Sequence, residues 1–160
     1  MRKINSNDVP EEEYFSPKRT IGGWGKQISV ALGRNPDSTD LLERHPFDLE
    51  IQRIPPRVAA TVYHSHSAQW EFYYVISGRG VVRDESGVTE IVPGDAFLFK
   101  PGEAHQLRGG DGPEDLVVMC IADNPIGESW YYPDSKKYGV REPARTFIRG
   151  ESLDYFDGEE

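Results

Sequence analysis

His64-Ser65-His66-Ser67-Ala68-Gln69-Trp70-Glu71 is the stretch that decides how this chain folds. In an extended strand successive side chains point to opposite faces, so His64 and His66 project to the same side and can hold one metal ion together. Glu71 follows just past a bend and adds a hard oxygen. Further along comes Pro101-Gly102-Glu103-Ala104-His105, whose histidine, placed after a Pro-Gly turn, can arrive from a different strand as a fourth ligand. Imidazole and carboxylate without thiolate suit one divalent first-row transition metal ion, with iron, manganese, zinc and nickel all admissible. His64, His66, Glu71 and His105 are therefore the candidate metal ligands.

The full pattern is more specific than its ligands. It runs His64-x-His66-x4-Glu71-x6-Gly78, then Gly94-Asp95-x5-Pro101-Gly102-x2-His105, and it resembles the two motifs of the cupin superfamily. The joining segment agrees: residues 81 to 92 read as a short apolar strand, an Asp84-Glu85-Ser86-Gly87 turn and a second strand, as a hairpin requires. The likeness is specific over residues 47 to 122. It departs in two places: the glycine that the family carries ahead of the first histidine is missing, since Arg57-Val58 follow Pro55-Pro56, and Gly109 stands where the second motif often carries Asn. Neither position is a ligand. A plainer reading makes the histidines core residues and Glu71 a solvated strand residue, but three histidines and a glutamate in this order, each beside the expected Gly or Pro, do not fit it. His45 lies outside both motifs and reads as a loop residue.

The resemblance implies an all-β fold, a double-stranded β-helix or jelly-roll barrel. The strand pattern supports it independently. Short alternating segments at 47–52, 71–76, 80–83, 88–92, 96–99, 105–108 and 116–122 are separated by Gly, Pro and Asp turns, the spacing of a sandwich or barrel. Ile28, Val30 and Leu32 alternate as a further half-buried strand would. We expect residues 1–20 to be a flexible N-terminal segment, 21–122 the barrel domain with its motif core at 47–122, and 123–160 an irregular extension. That extension spreads Trp130, Tyr131, Tyr132, Tyr138, Phe147, Tyr155 and Phe156 among charges and prolines. It reads as packing across the barrel surface or its mouth without forming another strand.

Composition sets bounds on partners. The 160 residues suit one domain, and the formal net charge of -9, with 27 acidic against 18 basic residues, argues against nucleic acid and anionic lipid surfaces. No run of about eighteen apolar residues exists to span a membrane, and the N-terminus lacks the apolar stretch of a secretion signal, so a cytoplasmic protein is expected. Acids cluster at Glu11-Glu12-Glu13 and again across residues 151–160. The single cysteine, Cys120, lies in an apolar run and reads as buried packing.

The strand from Glu71 to Ile76 has two apolar faces. Glu71, Tyr73 and Val75 point one way, and Phe72, Tyr74 and Ile76 point the other. If Glu71 faces the interior, the opposite face must be covered by residues 21–33 or by a second subunit, and the family resemblance implies a possible homodimer. By the same alternation Tyr73 and Val75 share the face of Glu71, Ala60 and Val62 that of the histidines, and Leu107 that of His105. The expected pocket is largely apolar with one phenol, suited to a small-molecule ligand. Glu71 and Tyr73 are the candidate catalytic residues. Arg57, Arg79, Lys100 and Arg108 are available by sequence position to meet an anionic substrate at the mouth. Two classes of function stay open: a small metalloenzyme, either an oxygenase or an isomerase or lyase acting on a small organic or sugar-like metabolite, and a metal-containing binding or sensing module without turnover.

Overall fold

The computed structural model describes residues 1–38, 40–141 and 145–159. After a 3-10 turn at Ser6–Asp8 come β1 (Glu12–Phe15), β2 (Gly22–Gln27), two single-turn helices α1 (Ile28–Ala31) and α2 (Leu41–Arg44), β3 (Phe47–Ile54), β4 (Ser65–His66), β5 (Glu71–Ser77), β6 (Gly80–Asp84), β7 (Gly87–Ile91), β8 (Ala96–Phe99), β9 (Gln106–Gly109) and β10 (Leu116–Asp123). The chain continues with β11 (Ser129–Tyr132), β12 (Lys137–Val140) and β13 (Thr146–Ile148). The strands form three antiparallel sheets, ordered β1-β2-β3-β10-β5-β8, β7-β6-β9 and β13-β12-β11-β4. This is the jelly-roll barrel that the motifs imply.

Period-2 alternation builds the core. Leu116, Val118, Cys120 and Ala122 of β10 point inward, and across the ladder Cys120 faces Tyr73 while Val118 faces Val75 of β5. Ile54, Val75, Leu107, Leu116 and Val118 are almost inaccessible to solvent. Each such side chain contributes about 1.5–3 kcal/mol by leaving water, so this cluster dominates the barrel's stability. Surface ion pairs such as Arg83 with Asp134, at 2.7 Å, add little by comparison.

Both departures from the family motifs have a local cause. Gly109 passes so close to β3 that a Cβ there would sit 2.1 Å from the Pro55 carbonyl oxygen, which excludes any larger residue without a backbone shift. Where the usual glycine is missing, Arg57 itself takes a left-handed φ of 64°. Its amide bonds the carbonyls of Gly109 and Gly110, which holds the turn without a glycine.

Three expectations need correction. Ile28, Val30 and Leu32 do not form a strand, because β2 ends at Gln27 and α1 begins at once, with the Leu32 amide bonded to the Ile28 and Ser29 carbonyls. The Ser29 hydroxyl accepts from the Leu49 amide at 2.6 Å, so this turn packs on β3; a short apolar run does not distinguish the two periods. Past Asp123 the chain forms three strands, and β11 extends a sheet from β4 through Trp130↔His66 and Tyr131↔Ser65. Trp130, Tyr131, Tyr132, Tyr138 and Phe147 are strand formers on a pleated surface, whereas Tyr155 and Phe156 lie beyond β13 and are exposed. Within the N-terminal segment, residues 12–15 pair with β2.

Alternation along β5 is as expected: Tyr73 and Val75 are buried, whereas Tyr74 and Ile76 are exposed and Phe72 half-buried. The N-terminal strand does not cover that outer face. In the sheet order β3 and β10 lie between β2 and β5. Leu98 of β8, paired with Phe72, is exposed beside it.

Candidate metal centre

The two motif segments meet through the backbone. Residues 56–64 run beside β9 through isolated bridges, the last of which joins His64 to His105. The Pro-Gly turn before His105 is tied down by the Gly102 amide, which donates to the His66 carbonyl at 2.8 Å. β5 supplies Glu71 from the opposing sheet. One ligand atom from each of His64, His66, Glu71 and His105 then lies within 4.8 Å of the others, and all four side chains are buried or nearly so.

The hydrogen bonds orient the rings. His64 donates from Nδ1 to the Val62 carbonyl at 2.8 Å and His105 from Nδ1 to the Glu103 carbonyl at 3.1 Å, which turns Nε2 of each towards the centre. His64 Nε2 is 3.0 Å from His66 Nε2, and His105 Nε2 is 2.7 Å from Glu71 Oε2. Phe99 stacks on the His105 ring, with centroids 4.0 Å apart and planes at 4°. Tyr73 donates its hydroxyl to Glu71 Oε2 at 3.2 Å. The expected placement of Tyr73 beside Glu71 is therefore correct.

Electrostatics favour ligand-ready protonation. Burial lowers His64 and holds His66 at about 4, so both imidazoles are neutral near pH 7. Burial alone would raise the Glu71 carboxyl, but the His105 hydrogen bond and the surrounding imidazoles outweigh it and hold the group at about 2. The Tyr73 phenol is pushed well above its ordinary value, first by burial, and remains a donor.

The donor set fits a cation. With His64 Nδ1 committed to a carbonyl, its Nε2 lone pair points at His66 Nε2, and two such lone pairs at 3.0 Å repel unless a proton or cation lies between them. A proton on His66 Nε2 would leave an Nδ1 lone pair 3.7 Å from the Glu128 carboxylate, itself unfavourable. A cation shared by the ligand atoms resolves both contacts, because His66 can then carry its proton on Nδ1, towards Glu128. Among the described residues His66 Nδ1 and Glu128 Oε2 are buried without a partner.

The cluster opens onto a cavity of about 370 Å³. This cavity is not the apolar pocket expected from alternation. Val62 and Tyr73 line it, but so do Asp48, Glu50, Gln52, Gln69, Asn124 and Glu128, together with Arg34, Arg44, Arg141 and Arg145. Ala60 and Leu107 belong to the core instead. None of Arg57, Arg79, Lys100 and Arg108 lines it; Arg57 and Arg108 pair with Asp111, and Lys100 with Glu103. Trp130 and Tyr132 of β11 form part of the wall, with Tyr132 stacked 6.1 Å from His64. Glu128 accepts from the Ser67 amide at 2.8 Å and its hydroxyl at 3.1 Å. The sequence offered no signal for Arg34, Arg44 or Glu128, which lie outside both motifs and come together only through the fold. His45 stays outside the cluster, and Cys120 is buried.

A jelly-roll barrel with three histidines and a glutamate gathered at one cavity defines a class of proteins, and comparison with known families agrees. Residues 50–122 match the family model for the cupin domain, so this chain carries a cupin domain. Over 69 residues it is 29% identical to an oxalate-binding protein of Thermotoga maritima; the match covers 43% of this chain and 55% of that protein, so the chain spans about half the length of this curated relative. Among solved structures it is similar to a putative sugar phosphate isomerase of Acidithiobacillus ferrooxidans (TM-score 0.75, 23% identity, 92% of each chain). It is also similar to a sugar phosphate isomerase from the cupin superfamily of Silicibacter pomeroyi (TM-score 0.77, 21% identity, 96% of this chain and 97% of that one). At these identities the likeness establishes the fold. Among the described residues no helix is long and apolar enough to cross a membrane.

Proposed function

We propose that this protein is a metal-dependent enzyme that binds one divalent transition metal ion through His64, His66, Glu71 and His105 and acts on a small, oxygen-rich metabolite as an isomerase or lyase. The carrying observation is the convergence of four ligand atoms within 4.8 Å at the wall of a cavity large enough for such a ligand. The sugar phosphate isomerases of similar fold support the reaction class, and the polar lining suits a hydroxylated substrate better than an apolar one. A bound metal would supply Lewis-acid polarisation of a substrate carbonyl or hydroxyl.

The chain's own groups do the rest. Tyr73, kept protonated by burial, donates to Glu71 and fixes the orientation of that carboxylate. Glu128 has a second oxygen, Oε2, free to accept a hydrogen bond from a substrate hydroxyl. Trp130 and Tyr132 form one side of the cavity.

Elemental analysis of protein purified without added metal comes first. Metal-loaded protein is then assayed against sugars, sugar phosphates, keto acids, phenols and dicarboxylates, with oxygen uptake monitored. Product formation that tracks metal content supports the isomerase or lyase reading, while oxygen consumption would point to an oxygenase. Binding across the panel without product would replace the enzyme with a binding module. The oxalate-binding relative favours that second reading.

We further propose that a second copy of the chain covers the outer face of β5. Tyr74, Ile76 and Leu98 are exposed there, and β2 lies elsewhere in the sheet.

A further inference from the structure

We propose that the cavity contains an anion subsite: Arg44, with Arg34 close by, receives the carboxylate or phosphate group of a ligand whose hydroxyl or carbonyl end reaches the histidine cluster. The inference rests on reading the cavity as a small-molecule site, and it names the chemical class of the ligand as a small oxyacid or phosphate ester.

The first observation is a buried charge with no carboxylate partner among the described residues. Arg44 is only 3% exposed, yet among the described residues no carboxylate lies within ion-pair distance of it. Its Nη2 donates to the Pro125 carbonyl at 3.1 Å, a neutral acceptor, and its Nε is buried without a partner among the described residues. A guanidinium stays charged in a protein, and a buried charge left unpaired is costly. Acids are not scarce in this chain. The more exposed Arg19, Arg53, Arg83 and Arg108 all have carboxylate partners at 2.7–3.2 Å, whereas the buried Arg44 has none among the described residues.

The second observation is placement. Arg34 donates from Nη2 to Asn124 Oδ1 at 2.9 Å, so the two guanidiniums are held against consecutive residues, Asn124 and Pro125. Arg34 also pairs with Asp48 at 2.9 Å, but its Nε too is buried without a partner among the described residues. Both arginines line the cavity that carries His64, His66 and Glu71. Each acid lining that cavity is bonded elsewhere through at least one oxygen, Asp48 to Arg34, Glu50 to Gln27 and Gln52, Glu71 to His105 and Glu128 to Ser67, while Asp48 Oδ1 and Glu128 Oε2 have no partner among the described residues. A guanidinium presents its N–H groups as a planar fork that matches the paired oxygens of carboxylate or phosphate. An oxyanion in the cavity would satisfy both free Nε–H groups and neutralise Arg44.

Calorimetric titration of the metal-free, full-length protein with inorganic phosphate, and separately with glycolate, tests this without turnover. Saturable binding of one anion per chain is expected. Whichever of the two binds more tightly identifies the anion as phosphate or carboxylate. R44M should weaken it by about tenfold or more, the loss of one charged hydrogen-bonding group. R44K, which keeps the charge but not the fork, should fall between the two. R108Q, which removes a surface arginine remote from the cavity, should bind as wild type does. Circular dichroism checks the fold of each variant; if R44M does not fold, R44K decides, and unchanged affinity in R44K overturns the proposal. Absence of saturable binding of either anion by wild type also overturns it. The two readings fail separately. Anion binding with no turnover of any compound ends the enzyme reading and leaves the subsite, whereas turnover unaffected by R44M, without anion binding, does the reverse.

Discussion

His64 and His105 exchange both backbone hydrogen bonds of one antiparallel bridge, from the His64 amide to the His105 carbonyl at 3.2 Å and from the His105 amide to the His64 carbonyl at 2.8 Å. A pair locked in this way cannot drift in register, so the backbone sets the separation of the two Cβ atoms, and the Nδ1 hydrogen bonds to the Val62 and Glu103 carbonyls then fix the rings. The cluster is therefore pre-organised, which a metal site requires for affinity.

Removing both histidines of the first motif should abolish metal binding. In H64A/H66A only Glu71 and His105 remain, too few to hold a divalent ion against water. Metal content measured on the folded double variant should drop to background. Full stoichiometry would show that the ligand assignment is wrong.

Glu71→Gln separates catalysis from binding. The change keeps the shape of the side chain but removes the charge that balances the metal and accepts from Tyr73 and His105. Turnover should collapse by orders of magnitude while ligand binding survives. In a binding module only affinity would shift, with no reaction to lose.

Acidification should destabilise the metal-free protein in a defined window. Unfolded histidines protonate near pH 6.5, whereas His64 is lowered and His66 lies at about 4 in the fold, so between these values the unfolded state binds more protons. Stability then falls as pH drops from about 6.5 towards 4. Glu71 acts in the same direction lower down: its contribution is complete above about pH 4.5 and is lost as pH falls through about 2. Thermal midpoints measured across pH 3–8 should decline on the acid side, and metal should be released over the histidine window. A midpoint that rises on acidification would contradict the burial of neutral imidazoles.

Gly109→Ala should destabilise the fold by roughly 1–3 kcal/mol, as overpacking does, because the new methyl meets the Pro55 carbonyl oxygen. Chemical denaturation provides the measurement. Wild-type stability would mean that β3 and β9 can separate locally at no cost.

Charge placed on the outer face of β5 should dissociate the proposed dimer. I76E, or Y74E with it, puts a carboxylate where two apolar faces would meet. Light scattering should report a dimer for wild type and a monomer for the variant; a monomeric wild type would refute the pairing.

What the sequence by itself determined was set by local spacing. The x between His64 and His66 places both rings on one face, the run from Glu71 to Ile76 alternates inside and outside, and the Gly and Pro turns delimit β5 to β10. These features depend on the two-residue period of a strand and on backbone angles, both of which are local. The same local rule misled at Ile28, Val30 and Leu32, where a run too short to distinguish periods became one helical turn. Only the tertiary structure decided the character of the cavity. Arg34 and Arg44 precede the motif core, Glu128 and Trp130 follow it, and no spacing relates them to the motifs. They become neighbours because β11 adds to the sheet of β4 and because Arg34 and Arg44 are bonded to the end of β10. A pocket inferred from barrel alternation alone is apolar, whereas the one that the fold assembles is lined by charges. The burial of those charges is a property of the whole packed molecule, which local sequence does not encode.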